Sequence, residues 1–117
     1  MVVKRIVMDI ATDRVSDVAQ FYADLFDLTP VMDQGWITTL ANGRDAAIQI
    51  SIASQGDSGT VVPDMSIEVD DVDSVCARAR DLRHLVEYGP VNEPWGVRRF
   101  FVRDPAGKLI NVLSHTR

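Results

Sequence analysis

The first half of the chain alternates between strand-like and helix-like spacing of its apolar residues. KRIVMDI, residues 4–10, alternates apolar and polar positions and is rich in β-branched residues, which predicts a strand. After the polar ATDRVSD, apolar residues recur at helical spacing, and Pro30 ends the predicted helix. VMDQ, GWITTLAN and DAAIQISIA then predict three more strands, with a hairpin turn at Asn42-Gly43. The apolar face of the predicted helix consists of Val18, Phe21, Tyr22, Leu25 and Phe26.

The same order of elements returns in the second half. DMSIEVDDV predicts a strand, and an apolar stripe preceded by aspartates predicts a second helix. LVEYGP, RRFFVRD and KLINVLSH predict three strands, and Asp-Pro-Ala-Gly at 104–107 fits a type I turn. The chain therefore predicts two βαβββ modules, each too small to bury its sheet alone. The stripe of the second helix consists of Val72, Val75, Cys76, Ala79 and Leu82.

Composition and charge narrow the class of protein. A chain of 117 residues, 46% of them hydrophobic, fits one globular domain. One cysteine excludes a disulfide within the chain and suits a reducing compartment. No apolar run approaches the ~18 residues that span a bilayer, and the N-terminus lacks the apolar region of a signal peptide. The protein has a net charge of −5, so nucleic acid is not expected as a partner. From the single cysteine and the absence of a long apolar run, we expect a cytoplasmic protein that does not enter a membrane.

Three segments resemble the vicinal oxygen chelate superfamily, which includes glyoxalases, bleomycin-resistance proteins and extradiol dioxygenases. They are FYADLFDL on the first predicted helix, VDDVD before the second, and FFVRDPAGKLINVL near the end. The resemblance covers essentially the whole chain and implies the α+β class, with two βαβββ modules forming one curved mixed sheet around a concave cavity. We expect a single glyoxalase-like domain over residues 1–117, with module one at about 1–55, a linker at about 54–63 and module two at about 64–117.

The resemblance also identifies positions where metal-dependent members carry His, Gln or Glu ligands. It places Asn111 at the usual glutamate position on the last strand, Gln49 at its counterpart in module one, and Asp64 on the first strand of module two. The fourth position is Arg5 or Ile6, depending on the register of the first strand. This set has no histidine and one carboxylate, and amide oxygens are weak ligands for transition metals. The sequence therefore predicts no metal and no other cofactor.

Strand alternation favours Arg5 over Ile6 and adds further candidate ligand-binding residues. With Arg5 in the cavity, the apolar residues Ile6, Met8 and Ile10 all face the helix. Carboxylates on the cavity side could accept a cationic or hydroxyl-rich ligand, unless Arg5 pairs with one of them or a strand end exposes them. The predicted ligand-binding residues are Arg5, Asp9, Trp36, Gln49, Asp64, Ser66, Glu68, Trp95, Phe101 and Asn111.

The aromatic candidates and the arginines of the last strands allow two interpretations. Trp36 and Trp95 occupy comparable places in the two modules and could stack on a planar ligand, or pack in a core or dimer interface. One of the adjacent Phe100 and Phe101 must face the cavity, and we include Phe101. Arginines in this region could bind an anion, although such residues more often flank a strand in water or pair across an interface. They are Arg98, Arg99 and Arg103.

The departure from the metalloenzyme pattern favours a binding protein. The resemblance then implies a metal-independent small-molecule-binding protein of the bleomycin-resistance kind, which sequesters a drug or metabolite and forms a homodimer. The alternative is a glyoxalase-like lyase or isomerase, or a dioxygenase, with an atypical site. A third reading is an interaction module whose cavity is vestigial. The sequence assigns no catalytic residue.

Overall fold

The computed structural model describes residues 2–42 and 49–116. The element order βαβββ is followed by a second βαβββ, and eight strands with two helices confirm the predicted α+β class. Gly43 of the predicted hairpin and residues 45–48 of the predicted fourth strand lie outside the described residues. The elements are β1 (Val3–Ala11), α1 (Val15–Phe26), β2 (Thr29–Asp33), β3 (Ile37–Ala41), β4 (Gln49–Ala53), β5 (Met65–Val69), α2 (Val72–Asp81), β6 (Val86–Glu93), β7 (Val97–Arg103) and β8 (Leu109–His115).

The chain divides into two compact units. The N-terminal unit is Val7–Val62, and the C-terminal unit is Met1–Ile6 with Pro63–Arg117, so β1 contributes to both. Strands of the N-terminal unit follow the order β2-β3-β4-β1, with β1 and β4 parallel. Those of the C-terminal unit follow the order β5-β8-β7-β6, with β5 and β8 parallel. The remaining neighbours within each unit are antiparallel. Both units are therefore mixed, and both repeat the same arrangement of strands.

The core of the N-terminal unit forms between α1 and the strands β3 and β4. Val15 and Ala19 of α1 are buried against Leu40 and Ile52, and Val18 and Tyr22 pack against this cluster. The predicted apolar face of α1 is wrong for three residues, because Phe21, Leu25 and Phe26 are each more than half exposed. The helix begins at Val15, so the buried stripe runs through positions 15, 18, 19 and 22 and is rotated from the predicted one.

On the side of β3 and β4 away from α1, two buried polar side chains bond to each other. Thr39 and Ser51 are partners in the β3–β4 register. Both residues are buried, and their hydroxyl oxygens lie 2.8 Å apart in a hydrogen bond. Small hydroxyl groups can satisfy one another in this way without a ligand or water.

The core of the C-terminal unit forms where α2 covers β5, β7 and β8. Asp71 caps the helix by accepting a hydrogen bond from the Ser74 backbone N–H at 3.2 Å. The predicted stripe of α2 is confirmed at Val72, Val75, Cys76 and Ala79, which belong to the core cluster or pack against it, whereas Leu82 lies at the C-cap and is exposed. The strand residues of this core are Met65, Ile67, Val69, Val86, Phe100, Val102, Ile110 and Val112.

Strand β6 departs from regular pairing at a glycine. The β6–β7 register shifts on both sides of Tyr88, between Val86 and Tyr88 and between Tyr88 and Val91. Gly89, within the second shift, has φ +75°, and a Cβ there would lie 2.4 Å from the Arg99 carbonyl oxygen. An irregularity of this kind lets a strand redirect the side chains that follow it. The conformation and the close approach together require glycine at this position.

We predict that Gly89→Ala lowers the free energy of unfolding by about 3 kcal/mol. A left-handed backbone costs a residue with a side chain about 1–2 kcal/mol, and the clash with the Arg99 carbonyl adds a comparable overpacking term. Gly107→Ala is the matched control, because Gly107 has φ +84° and nothing within 4 Å of the added Cβ. Denaturant unfolding of both variants would contradict the close approach at β6 if the two losses were equal.

Candidate ligand-binding site

The candidate site lies on one side of the strands of the C-terminal unit, opposite α2. Because Phe100, Ile110 and Val112 point into the α2 core, their neighbours on β7 and β8 point the other way. We call this side the site face. One row of register partners crosses it from β5 to β6, and a second row lies beside it. The first row is Ser66, Asn111, Phe101 and Tyr88, and the second is Glu68, Leu113, Arg99 and Val91.

Asn111 is the polar centre of the first row. The residue is 9% exposed, and its Nδ2 donates to the Ser66 Oγ at 3.0 Å. Its Oδ1 is buried and accepts no hydrogen bond from the described part of the chain. Exchanging the two amide atoms would let Ser66 donate to Oδ1 but leave the NH₂ donors unused. In either orientation the amide holds unused hydrogen-bonding capacity, and an unused buried group costs roughly 1–3 kcal/mol.

Glu68 lies in the second row and is neutralised. Its Oε1 lies 3.1 Å from the Nε of Arg5, and its Oε2 lies 2.9 Å from the Nδ1 of His115. Both oxygens of the carboxylate are therefore engaged. The pairing of Arg5 with a carboxylate, one of the alternatives drawn from the sequence, is found at Glu68. The contact places Arg5 beside Glu68, but the expectation that Ile6 and Met8 face the helix is wrong, because both are more than half exposed.

Asp64 secures the edges of two strands. Its carboxylate Oδ2 accepts the Leu109 backbone N–H at 2.8 Å, and its own backbone N–H donates to the Leu109 carbonyl at 2.8 Å. The residue is exposed and precedes the first residue of β5. Exposure at a strand end was the other interpretation of the predicted carboxylates, and it holds for Asp64. The bond joins the start of β8 to the start of β5, which supports the register that brings Ser66 beside Asn111.

The site face also holds a buried ion pair. Arg99 and Glu93 have side chains that are 4% and 3% exposed, and the Arg99 Nε donates to the Glu93 Oε2 at 2.6 Å. The Tyr88 hydroxyl donates to the same oxygen at 2.8 Å. Arginine and glutamate are rarely buried to this degree without a partner. Two donors converging on one carboxylate oxygen therefore fix the positions of both side chains.

Three aromatic rings surround the Arg99 guanidinium. Its Cζ lies 4.8 Å from the ring centroid of Phe101, 4.9 Å from that of Trp95 and 5.4 Å from that of Tyr88. These distances lie within the range of cation–π attraction. The rings of Tyr88 and Phe101 also contact each other, with centroids 5.2 Å apart. Phe101 therefore belongs to the site face, and its neighbour Phe100 is fully buried in the α2 core.

Tyr88, Glu93 and Arg99 are absent from the predicted ligand-binding residues. Arg99 was grouped with Arg98 and Arg103 as an arginine of the last strands. Only Arg98 and Arg103 form the partly exposed ion pairs expected of such arginines. A side-chain hydrogen bond from Arg98 holds the pKa of Asp73 below its usual range, and one from Arg103 does the same for Glu87. Alternation with the apolar Phe100 is the signal that separates Arg99 from Arg98.

The predicted candidates fall into two groups. Asp9 on β1, Trp36 before β3 and Gln49 at the start of β4 are partly buried residues of the N-terminal unit. The C-terminal unit contains the other seven and brings most of them together on the site face or beside it. These seven are Arg5, Asp64, Ser66, Glu68, Trp95, Phe101 and Asn111.

With Arg5 in the preferred register of the first strand, the residues at the predicted metal positions do not fit a divalent metal. Arg5 is itself a cation and pairs with Glu68, and the Asp64 carboxylate accepts a backbone N–H. Asn111 offers one neutral amide oxygen, which is a weak ligand for transition metals. Within residues 2–42 and 49–116, no group of three or more His, Cys, Asp or Glu side chains could hold a metal ion.

Sequence comparison places this architecture in a known family. The family model for the glyoxalase/bleomycin resistance protein/dioxygenase superfamily matches residues 3–112. The chain belongs to this superfamily. The match confirms the resemblance carried by FYADLFDL, VDDVD and FFVRDPAGKLINVL. No curated protein matches the chain in sequence.

Several solved structures share the fold at low sequence identity. A superfamily member from Vibrio splendidus 12B01 is 12% identical with a TM-score of 0.67, covering 97% of this chain and 99% of that one. Methylmalonyl-CoA epimerase from Mycobacterium tuberculosis is 20% identical with a TM-score of 0.64, covering 98% and 88%. A Legionella pneumophila structure described as NAD-dependent benzaldehyde dehydrogenase is 14% identical with a TM-score of 0.77, covering 95% and 99%. At these identities the likeness shows the fold alone.

We predict that Arg99→Met lowers the free energy of unfolding by about 3–5 kcal/mol. The variant keeps most of the side-chain volume but leaves the Glu93 carboxylate buried without its counter-ion. Arg98→Met is the matched control on the same strand, because Arg98 pairs with a mostly exposed Asp73 and its loss should stay within about 1 kcal/mol. Chemical denaturation of the two variants measures both values. Similar losses would show that the Arg99–Glu93 pair is not buried in solution.

Proposed function

We propose that this superfamily member binds a small organic molecule on the site face and needs no metal to do so. Its role would be that of the bleomycin-resistance kind, in which a drug or metabolite is sequestered. The observation that carries the proposal is the buried Asn111 Oδ1, which accepts no hydrogen bond from the described residues. A binding site is where a protein tolerates such an atom, since the ligand supplies the missing donor.

The surroundings of Asn111 support an organic ligand. Small-molecule sites combine mainly apolar and aromatic walls with a few polar groups that set orientation. Here Phe101 is the direct register partner of Asn111, and Tyr88 follows in the same row. The aromatic rings would supply apolar burial, and the amide would orient the ligand.

The donor set argues against the metal-dependent alternative. Lyases, isomerases and dioxygenases of the superfamily that use a metal need ligands with open positions for substrate oxygens. In the preferred register of the first strand, Arg5 would place a positive charge at one of the corresponding positions in this chain. We therefore propose binding rather than metal catalysis, and no catalytic residue is assigned.

We predict that Asn111→Leu weakens ligand-dependent stabilisation while leaving the unliganded protein at least as stable as the wild type. The leucine removes a buried unused acceptor and adds apolar volume. A small-molecule library is screened by thermal melting, since a ligand of the native state raises the melting temperature. Hits should shift the wild type by several degrees and the variant by little. Asn92→Leu is the control, because Asn92 is exposed on β6.

The same melting scans separate binding from metal chemistry. They are repeated in EDTA and with added Mn, Fe, Co, Ni and Zn, alongside elemental analysis of protein purified without an affinity tag. Metal below a tenth of an equivalent with no stabilisation is the expected result. Stoichiometric metal, or several degrees of metal-dependent stabilisation, would contradict the proposal and support the enzyme alternative. A broad library without any hit would also count against it.

We also propose a homodimer. The N-terminal unit carries Phe21 and Leu25 one turn apart on α1, and both are more than half exposed, as are Phe26 and Met8. Large exposed apolar groups of this kind mark surfaces that become buried in an assembly. Burying them against a second copy would remove apolar surface from water, worth roughly 25 cal/mol per Å².

We predict that Leu25→Lys shifts the protein from dimer to monomer. A charge placed in an apolar contact must be desolvated without a partner when the dimer forms. Gln20→Lys on the same helix is the control, because Gln20 is already exposed and polar. Sedimentation equilibrium over a micromolar concentration series measures the mass of each. A wild type that is monomeric throughout the series would rule out the dimer.

A cytoplasmic location and a single domain over residues 1–117 complete the proposal. The single cysteine, Cys76, is a buried free thiol of the α2 core, which is compatible with a reducing compartment. No helix in the described part of the chain is both long enough and apolar enough to cross a membrane.

A further inference from the structure

The charges on the site face cancel in pairs. Arg5 lies against Glu68 at 3.1 Å, and Arg99 lies against Glu93 at 2.6 Å. Both oxygens of Glu68 are engaged, the second by His115 at 2.9 Å. A cationic ligand would have to compete with an arginine for either carboxylate. An anionic ligand would have to draw an arginine from its glutamate and lose its own hydration. The pairing therefore disfavours a charged ligand of either sign.

The three rings around Arg99 form a rigid surface, which we call the aromatic wall. It consists of Tyr88, Trp95 and Phe101, all within 5.4 Å of the guanidinium carbon. Glu93 accepts hydrogen bonds from Arg99 and Tyr88 through one oxygen, so moving either side chain would break a hydrogen bond to a buried carboxylate. Phe101 is 2% exposed and forms the base, whereas Tyr88 and Trp95 are only partly buried and offer ring surface. A fixed aromatic surface selects flat ligands.

The unused acceptor lies beside this wall. Phe101 and Asn111 are directly opposed in the β7–β8 register. Opposed side chains on one face of an antiparallel pair have Cβ atoms roughly 4.5–5.5 Å apart. A ring resting on the wall would therefore lie next to the Asn111 side chain.

From this juxtaposition we infer that the ligand is a planar, uncharged aromatic compound with an O–H or N–H donor on its ring edge. The donor bonds the Asn111 Oδ1, and the ring rests on the wall that Arg99 positions. The inference rests on the proposed function and adds the chemical class of the ligand.

Four naphthalene probes separate the contributions of donor and charge. Naphthol carries the donor, its methyl ether lacks it, naphthoate is anionic, and naphthyl trimethylammonium is cationic. Calorimetric titration should show naphthol binding about threefold to tenfold more tightly than the ether, as expected for one neutral hydrogen bond. Both charged probes should bind more weakly than the ether. Equal affinity for naphthol and ether, or tighter binding of a charged probe, would overturn the inference.

Asn111→Leu tests where the donor binds. The variant should bind naphthol and the ether with equal affinity, because the preference for naphthol arises at the amide. Asn92→Leu should keep the preference. A preference for naphthol that survives in Asn111→Leu would show that the donor binds elsewhere, and would overturn the inference.

Arg99→Lys tests the positioning role. The lysine keeps the positive charge beside Glu93 but lacks the planar guanidinium that contacts the three rings. Affinity for naphthol and ether should fall together, by about tenfold, with the ratio between them unchanged. Arg98→Lys, on the same strand, should change neither. A folded Arg99→Lys variant with wild-type affinities would show that Arg99 does not position the wall.

The outcomes distinguish this inference from the proposed function. A library hit that is charged or non-planar and depends on Asn111 would overturn the ligand class and leave the binding function standing. If neither the library nor any naphthalene probe binds the wild type, both fail. Naphthol binding that depends on both Asn111 and Arg99 supports the two together.

Discussion

The burial of Phe100 under α2 determines what the opposite side of the sheet can present. Phe100 is fully buried in the α2 core. Because a strand alternates its side chains, Arg99 and Phe101 must then point away from the helix. The neighbouring strands repeat the constraint through Val112 and Ile67, which turn Asn111, Ser66 and Glu68 to the same side. These hydrophobic contacts thus align polar and aromatic groups on one side of β5, β7 and β8.

The site face contains groups that a protein selected for stability alone would not keep. Replacing a buried ion pair by apolar residues of similar volume is often neutral or stabilising, yet Arg99 and Glu93 are almost completely buried. The amide of Asn111 is buried with its oxygen unused by the described chain. Both features are destabilising or neutral for the fold and become useful when a ligand needs fixed surroundings. Stability exchanged for function is a common pattern at binding sites.

Features that depend on local interactions could be predicted from the sequence, whereas features that depend on strand pairing could not. The stripe of α2 could be predicted because Asp71 caps the helix and its apolar period is intact. That of α1 could be predicted only in part, because the start at Val15 shifts the buried face by less than a turn. The position of Asn111 followed from the family motif. The burial of Arg99 did not, because Glu93 meets it only through strand pairing and a register shift on β6 that the local sequence does not encode. A charged residue is also expected in water unless its partner is known.

The two halves of the chain share one plan but use it differently. In the N-terminal unit, the side of β3 and β4 away from α1 holds Thr39 and Ser51, which satisfy each other. In the C-terminal unit, the equivalent strands are β7 and β8. They carry the buried charge of Arg99 and the buried Asn111 Oδ1, which accepts no hydrogen bond from the described residues. A tandem repeat permits this difference. The same strand arrangement can carry polar side chains that satisfy each other in one unit and an unused buried acceptor in the other.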